Sequence, residues 1–240
     1  MLRRKLTIVI PCKNEEDYIG NLLDDIAMQN EIEGTKVVIA DGNSTDNTLL
    51  VIEQRKEIYK GILNIEVTEG GKVSRARNNG AKLAKTPFIL FIDADTRLFE
   101  PSTIVDTLDQ LEYRGKSLLT CRLKCYKGNL FDKFLFYIYN FIHAGLGKFY
   151  PFAIGTYFMV RAKDFKYYGQ FNEESNTCED FLFSQNFSLN EYCFHPHYVG
   201  QDNRRLVKMG RLGMARYLFT NLISFIRKDD KRFKKDVGYW

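Results

Sequence analysis

Four short apolar runs, separated by segments of helical character, are the feature that most constrains how this chain can fold. The runs at residues 6–11, 37–40 and 88–92 have the apolar character of buried strands, and residues 62–67 have the character of a further strand. The intervening residues 15–29, 44–58 and 73–83 are predicted helices. This alternation predicts an α/β fold, a doubly wound and mostly parallel central sheet with helices on both faces.

The second half of the chain has a less regular pattern. It predicts helices at residues 102–112, 130–149 and 179–189, and a helix followed by a turn at 165–171. Strands are predicted at residues 118–126 and 155–161.

Composition excludes several classes of protein. The chain has 240 residues and a formal net charge of only +5, and no Lys/Arg run in its body is typical of a nucleic-acid groove, so we expect no nucleic-acid partner. Its five cysteines lack the spacing of metal ligands, which favours a reduced, cytoplasmic protein. The residues 1–5 lead directly into the first strand, so we expect neither a signal peptide nor, elsewhere, a membrane span.

Polar segments follow all four predicted strands. They are residues 11–15, 41–46, 71–78 and 93–95. Because ligands of open α/β sheets bind outside the carboxyl ends of the strands, we expect these segments to line one edge of the sheet.

The chemistry of these segments suits a nucleotide diphosphate. Asp93 and Asp95, with Ala94 between them, can hold a divalent cation that in turn holds a diphosphate. Asp41 can accept hydrogen bonds from a base or ribose. A group of basic residues can meet phosphate charge, or can form a solvated helix face: Lys72, Arg75 and Arg77.

Several ordered motifs resemble those of family 2 glycosyltransferases of the GT-A fold. They span roughly residues 6–210 and comprise residues 8–16 (IVIPCKNEE), 40–48 (ADGNSTDNT), 76–81 (ARNNGA), 91–96 (FIDADT), 171–174 (FNEE) and 178–181 (CEDF). The family's Gly-Gly-Phe is Gly169-Gln170-Phe171 here, and its Asp-Asp-Gly-Ser is replaced by residues 40–44 (ADGNS). The resemblance implies inverting transfer of a sugar from a nucleotide-sugar donor, with Mg²⁺ or Mn²⁺ as cofactor.

The resemblance also implies roles for individual residues. Asp180 would be the catalytic base and Glu179 an orienting neighbour whose charge raises the pKa of that base; Glu179 could equally be only a favourable charge at a helix N-terminus. The metal ligands would be Asp93 and Asp95, with His195 or His197 as a third. Residues 195–210 resemble the family's post-catalytic loop. The donor-binding set would be Pro11, Asn14, Glu15, Asp41, Lys72, Arg75, Arg77, Asp93, Ala94, Arg204 and Arg205.

We accordingly expect a GT-A domain over residues 1–203, with a donor half (1–98) and an acceptor half (99–203), and a basic amphipathic extension over 204–240. Within that extension residues 206–228 either lie on an anionic membrane, at the inner face of the plasma membrane, or pack on the domain. The aromatic residues 131–142 either cover the sheet and wall the acceptor pocket or meet lipid.

The predicted function is metal-dependent, inverting transfer of a sugar to a hydroxyl of a glycan or polyprenyl-linked acceptor. One alternative is a nucleotidyltransferase that makes nucleotide sugars, although residues 11–15 lack the glycine-rich phosphate loop that such enzymes carry. The other is a non-catalytic module that binds nucleotide sugars. The two acidic pairs, Asp93 with Asp95 and Glu179 with Asp180, argue against it.

Overall fold

The computed structural model describes residues 1–175 and 177–226, which form a single mixed sheet flanked by helices. Within these residues the sheet has eight strands: β1 (Leu6–Cys12), β2 (Thr35–Asp41), β3 (Leu63–Glu69), β4 (Phe88–Ile92), β5 (Arg97–Leu98), β6 (Leu118–Cys125), β7 (Tyr157–Arg161) and β8 (Tyr192–Gln201). Their spatial order is β3-β2-β1-β4-β7-β6-β8-β5.

The first half of the sheet is parallel, as predicted. Strand β1 pairs in parallel with both β2 and β4, and β2 pairs in parallel with β3. Strand β7 then runs antiparallel to β4 and β6, whereas β8 is parallel to β6 and antiparallel to β5. The chain leaves β1 toward β3 and returns to β4 on the other side. This strand order places a crevice between the carboxyl ends of β1 and β4.

Helices cover both faces of the sheet, which confirms the predicted doubly wound α/β architecture. They are α1 (Ile19–Ala27), α2 (Thr48–Ile58), α3 (Val73–Lys82), α4 (Thr103–Tyr113), α5 (Leu130–Leu146), α6 (Ala162–Tyr167), α7 (Glu179–Ser184) and α8 (Arg204–Ile226). In β1, Ile8 and Ile10 join the core formed with α1, α2 and α4, whereas Val9 joins the core formed with α3, α6 and α7. Burial on both faces explains why β1 is an unbroken apolar run.

Two predicted helices begin later than expected. Helices α1 and α2 each start four residues beyond the predicted boundary, because the polar residues before them tie loops together instead. Glu15 N–H donates to Thr48 Oγ1 at 2.7 Å, and the carboxylate of Asp46 accepts from Thr48 N–H at 3.0 Å. Helix α6 begins three residues early, and α7 ends at Ser184 rather than at residue 189.

The prediction that residues 195–210 form a loop was wrong, because residues 192–201 are strand β8 in the interior of the sheet. The strand lacks a clear two-residue alternation, since Pro196 interrupts it and its register against β6 shifts between Cys121 and Arg122. The short strand β5 was also missed, as two residues carry no periodic signal.

Helix α8 is interrupted rather than continuous. Gly210 has φ +69° and ψ +161°, a non-helical conformation. Apolar residues on the two sides of Gly210 therefore do not share one helical face, contrary to the single amphipathic helix expected at residues 206–228. Arg227, Lys228 and the rest of the charged tail lie outside the described residues. In the part of the chain that the structure describes, the helices are too short or too polar to cross a bilayer.

Glycine 80 allows α3 to lie directly on β1, and this contact predicts a stability difference between two helical glycines. A Cβ on Gly80 would overlap the Val9 side chain, whereas a Cβ on Gly145 of α5 would meet nothing within 4 Å. We expect Gly80→Ala to destabilise the fold by about 1–3 kcal/mol through overpacking. Gly145→Ala should instead stabilise it by up to about 1 kcal/mol through helix propensity. Urea unfolding monitored by circular dichroism measures both, and equal effects would contradict this packing.

Candidate active site

The loops after β1 and β2 are hydrogen-bonded into one unit around Asp41. Asp41 is buried at the end of β2, and its carboxylate accepts from Ser44 N–H at 3.1 Å and from Ser44 Oγ at 2.6 Å. Asn14 lies in the left-handed region with φ +53°, and its N–H donates to Ser44 Oγ at 2.9 Å. The two strand ends therefore place Asp41, Asn14 and Glu15 together at the edge of the sheet. Pro11 is the second-last residue of β1.

The loop after β3 packs on the same edge through its backbone. Gly70 N–H donates to the Asp41 carbonyl oxygen at 2.7 Å, and a Cβ on Gly70 would lie 2.6 Å from the Asp41 carbonyl carbon. Only glycine permits this approach. The loop leads into α3, where Lys72 and Arg75 are exposed and Arg75 forms an ion pair of 3.2 Å with Glu69.

Arg77 does not face this loop, contrary to the expectation that it would meet phosphate. Its side chain is 1% exposed and bridges two carboxylates: Nη2 lies 2.7 Å from Asp93 Oδ1, and Nη1 lies 2.5 Å from Glu179 Oε1. The guanidinium also lies over the ring of Phe171, 5.5 Å from its centroid. Arg77 belongs to the inward face of α3, so both of its terminal nitrogens are committed to the protein.

Other residues of that α3 face hold the acceptor-side motif. Asn78 Oδ1 accepts from Phe171 N–H at 3.0 Å, and Asn78 Nδ2 donates to the Phe171 carbonyl at 2.9 Å and to Glu173 at 3.0 Å. Ser74 Oγ donates to the Ser175 carbonyl oxygen at 3.3 Å. Through Arg77 and its neighbours, α3 joins the loop after β4 to the segment that precedes α7.

Asp180 stands in the first turn of α7 next to this bridge. Its carboxylate accepts from the N–H groups of Gly155 and Phe181. Burial, together with the negative charge of Glu179, raises the pKa of Asp180 to about 6, although Arg77 opposes the shift. Such a carboxylate can take up a proton near neutral pH.

Two backbone features position the Asp180 carboxylate. Cys178, immediately before α7, has a left-handed backbone with φ +56°, a conformation that β-carbon sterics disfavour. Gly155 approaches so closely that a Cβ there would collide with the Arg77 guanidinium. The sequence analysis missed Gly155, since a lone glycine before a strand does not reveal what approaches it.

Asp95 is held by Arg204, the first residue of α8. Arg204 Nε lies 3.0 Å from Asp95 Oδ2, and its Nη1 and Nη2 donate to the two oxygens of Glu15 at 2.7 Å each. Burial raises the pKa of both Asp95 and Glu15 despite this guanidinium, and the charge of Asp93 adds to each shift. Burial lowers the pKa of the neighbouring Arg205. The negative charges of Asp93 and Asp95 outweigh that effect, so the pKa of the Arg205 guanidinium is raised overall.

The cluster carries an excess of negative charge. It contains five carboxylates and three guanidinium groups, namely Glu15, Asp93, Asp95, Glu179 and Asp180 against Arg77, Arg204 and Arg205. Desolvated carboxylates at this density favour either proton uptake or cation binding.

The donor atoms suit Mg²⁺ or Mn²⁺ shared with a ligand rather than caged by the protein. Within residues 1–175 and 177–226, no three His, Cys, Asp or Glu side chains converge as a metal site. Asp93 and Asp95 each use one oxygen for an ion pair, Oδ1 and Oδ2 respectively. A cation held by one or two carboxylates, with phosphates and water completing its shell, is the usual arrangement for Mg²⁺.

His195 does not join Asp93 and Asp95. It lies in β8, where its Nδ1 accepts from His197 N–H at 3.1 Å and its ring stacks on that of His197 at 4.6 Å. It precedes Asp202, the residue that accepts from Arg204 N–H, by seven positions, or roughly 20 Å of extended strand. His197 is paired with Glu100 and Asp106. The geometry thus gives no support to either histidine as a metal ligand.

Asp202 is a further residue of the site that the sequence analysis missed. Its carboxylate accepts from Arg204 N–H at 2.9 Å and forms an ion pair of 3.1 Å with Lys127, which fixes the start of α8. Asp202 directly follows β8, and Asp41 is the last residue of β2, so both carboxylates stand at strand ends. That signal was present in the sequence, but it required recognising β8.

Comparisons with known proteins identify the family of this chain. The family model described as Glycosyl transferase family 2 matches residues 7–169. The chain belongs to this family. It is 38% identical over 93 residues to the poly(ribitol-phosphate) beta-glucosyltransferase of Bacillus spizizenii, an alignment covering 38% of this chain and 15% of that one. It is 31% identical over 132 residues to the poly(ribitol-phosphate) beta-N-acetylglucosaminyltransferase TarS of Staphylococcus aureus, covering 52% and 22%.

Solved structures confirm the GT-A-like fold of this family 2 member. The mannosyltransferase PcManGT of Pyrobaculum calidifontis, in complex with GDP-Man and Mn²⁺, has a TM-score of 0.69 at 17% identity, covering 90% of this chain and 64% of that one. TarS residues 1–349 in complex with UDP-GlcNAc give 0.62 at 24% identity, covering 82% and 58%. The chain spans less than a quarter of the length of the two curated relatives named above.

Two arginines of the family 2 chain, Arg77 and Arg97, predict very different costs of removal. Arg77→Met leaves Asp93 and Glu179 desolvated without their cation, and we expect a loss of about 3–5 kcal/mol in the free energy of unfolding at pH 7. Arg97 instead donates to both oxygens of a single carboxylate, that of Asp25, and its side chain is 37% exposed. Arg97→Met should cost about 1 kcal/mol or less. Urea unfolding at one pH compares them, and comparable losses would refute the buried bridge.

Proposed function

We propose that this chain catalyses transfer of a sugar from a nucleotide diphosphate donor to a hydroxyl of a glycan or polyprenyl-linked acceptor, with a divalent cation and with inversion. The observation that carries the proposal is the Arg77 bridge. It sets Asp180, a carboxylate whose pKa is close to neutral, beside the acidic pair that follows β4. A base on one side and a cation site on the other are what displacement at an anomeric carbon requires.

On the donor side, we propose that the crevice between β1 and β4 takes the nucleotide. Asp41 and the loop of Pro11, Asn14 and Glu15 would face the base and ribose. Ala94 would pack below them, and the exposed Lys72 and Arg75 would stand near the phosphates. Asp93 and Asp95 would hold Mg²⁺ or Mn²⁺, which when bound neutralises the diphosphate leaving group. Support comes from the named complexes of similar structures, one with UDP-GlcNAc and one with GDP-Man and Mn²⁺.

On the acceptor side, Asp180 would remove the proton of the attacking hydroxyl. The new bond forms between that oxygen and the anomeric carbon while the carbon–oxygen bond to the diphosphate breaks, and attack from the opposite face inverts the configuration. Glu179, held by Arg77, would orient the acceptor and keep the pKa of Asp180 high. We therefore propose that residues 1–98 form a donor half, with Asp41, Asp93 and Asp95, and that residues 99–203 form an acceptor half, with Glu179 and Asp180.

The start of α8 would complete the donor site. Arg204 and Arg205 can exchange their carboxylate partners for diphosphate oxygens, since both anions accept from a guanidinium in the same geometry. Peripheral membrane contact through residues 206–228 belongs to the same proposal. Its support is the exposure of Val207 and Leu212, on the two sides of Gly210.

Turnover of a panel of nucleotide sugars, with Mn²⁺ and with water as acceptor, tests the proposed function. We expect release of a nucleoside diphosphate and a kcat/KM that rises with pH through about 6 and then levels, because Asp180 acts in its ionised form. Asp180→Asn should lower kcat by roughly 100-fold or more. Asp109→Asn, on the exposed face of α4, should leave it unchanged.

The alternatives have distinct outcomes. A nucleotidyltransferase would release no nucleoside diphosphate in that assay, but it would release pyrophosphate when supplied with a nucleoside triphosphate and a sugar 1-phosphate. Stabilisation by a nucleotide sugar with no turnover by the wild type would indicate a binding module, and full activity of Asp180→Asn would remove Asp180 from the mechanism.

A further inference from the structure

Helix α5 presents a continuous apolar face outward. Phe134, Tyr137 and Phe141 are 54%, 67% and 77% exposed, and Ile138 and Ile142 beside them are also exposed. Their spacing of three and four residues places all five on one side of the helix. Clustered exposed apolar side chains of this size mark an interaction surface.

The opposite side of α5 fixes the helix in this orientation. Asn140 accepts from Leu123 N–H at 2.8 Å and donates to the Leu123 carbonyl at 2.6 Å, so it replaces a missing strand partner of β6. His143 is fully buried, with its Nε2 2.7 Å from the Phe152 carbonyl oxygen. Turning the aromatic residues inward would break these buried hydrogen bonds, so the aromatic face belongs to the folded state.

The exposed charged residues next to this face in the sequence have one sign. They are Lys124, Lys133 and Lys148, together with Lys127, which is paired with Asp202. Between residues 122 and 150 the one acidic residue is Asp132, which is buried and accepts from Asn203. An aromatic and aliphatic face bordered by lysines complements an anionic lipid surface. A two-fold contact with a second copy would instead bring like charges together.

The face is continuous with the proposed donor site. Asn203 Nδ2 donates to Asp132 Oδ2 at 2.9 Å, which joins the start of α5 to α8, and the next residue, Arg204, binds Glu15 and Asp95. An open groove of about 750 Å³ lies between these two helix starts. Its lining includes Gly128, Asn129, Leu206, Val207, Met209 and Leu212. An acceptor carried by lipid would have a largely apolar path from this face toward the site.

We propose that the outer face of α5, formed by Phe134, Tyr137, Ile138, Phe141 and Ile142, docks on an anionic membrane and thereby presents the site to an acceptor anchored in lipid. The docking itself is independent of the chemistry, whereas the acceptor class rests on the proposed function. This surface is distinct from residues 206–228.

Co-sedimentation of the full chain with phosphatidylcholine vesicles, with and without phosphatidylglycerol, tests the docking. We expect binding that needs phosphatidylglycerol, and a loss of roughly 30-fold or more in partitioning for the double variant Phe134→Ser, Phe141→Ser. The matched control, Tyr113→Ser with Tyr167→Ser, removes two exposed aromatics from α4 and α6 and should bind like the wild type. Absence of wild-type binding, or equal binding by both double variants, would overturn the proposal.

A fluorescence measurement keeps the test independent of folding effects. In a Trp240→Phe background, which removes the single native tryptophan, Phe141→Trp should shift its emission to the blue on the phosphatidylglycerol vesicles, and Tyr113→Trp should not. Sedimentation velocity without lipid tests whether the face binds a second copy of the chain instead. A dimer that the Phe134→Ser, Phe141→Ser variant converts to a monomer would assign the face to that second copy and overturn membrane docking.

Donor binding separates this proposal from the proposed function. The Phe134→Ser, Phe141→Ser variant should keep whatever thermal stabilisation nucleotide sugars give the wild type, because its substitutions lie outside the donor site. Vesicle binding by a wild type that binds no nucleotide sugar would retain the docking surface and reject the glycosyltransferase. Loss of that thermal stabilisation together with vesicle binding would show that the substitutions act through the fold and overturn α5 as a lipid-docking face.

Discussion

The buried guanidinium of Arg77 is the interaction on which the rest of the site depends. It is desolvated, yet it bridges a carboxylate from the loop after β4 and one from the first turn of α7. Those two segments lie 86 residues apart in the sequence, at Asp93 and Glu179. Because removal of one member of a buried ion cluster is far more costly than its net contribution, the bridge fixes geometry more than it adds stability.

The bridge also explains why Asp180 can act as a base. Burial and the negative charge of Glu179 raise the pKa of Asp180. Arg77 offsets only part of that shift, because it is already paired with Asp93 and Glu179. The strained backbone at Cys178 and the close approach of Gly155 hold the carboxylate in that environment. Across the site, Arg204 compensates Glu15 and Asp95 incompletely in the same way.

The parallel half of the fold could be predicted from sequence because β1, β2 and β4 are apolar runs followed by polar residues, and β3 has an alternating strand pattern. The same logic correctly grouped Asp41, Asn14 and Asp93 at one edge. It could not separate Arg75, exposed on α3, from Arg77, buried two residues later, since this depends on which face of α3 meets the segment from Phe171 to Glu179. Strand β8 was not predicted, because its pairing with β6 is irregular. Without β8, Asp202 could not be recognised as a residue at the end of a strand.

The pKa of the Asp180 carboxyl shows whether the Arg77 bridge sets the charge environment of this carboxylate. Titration of its side-chain carbon by ¹³C NMR, in the wild type and in Arg77→Met, reports that pKa without any substrate. We predict a pKa of about 6 in the wild type and a higher value when Arg77 is absent, since its positive charge lowers the pKa. An ordinary aspartate pKa near 4, or the same value in both proteins, would contradict this prediction.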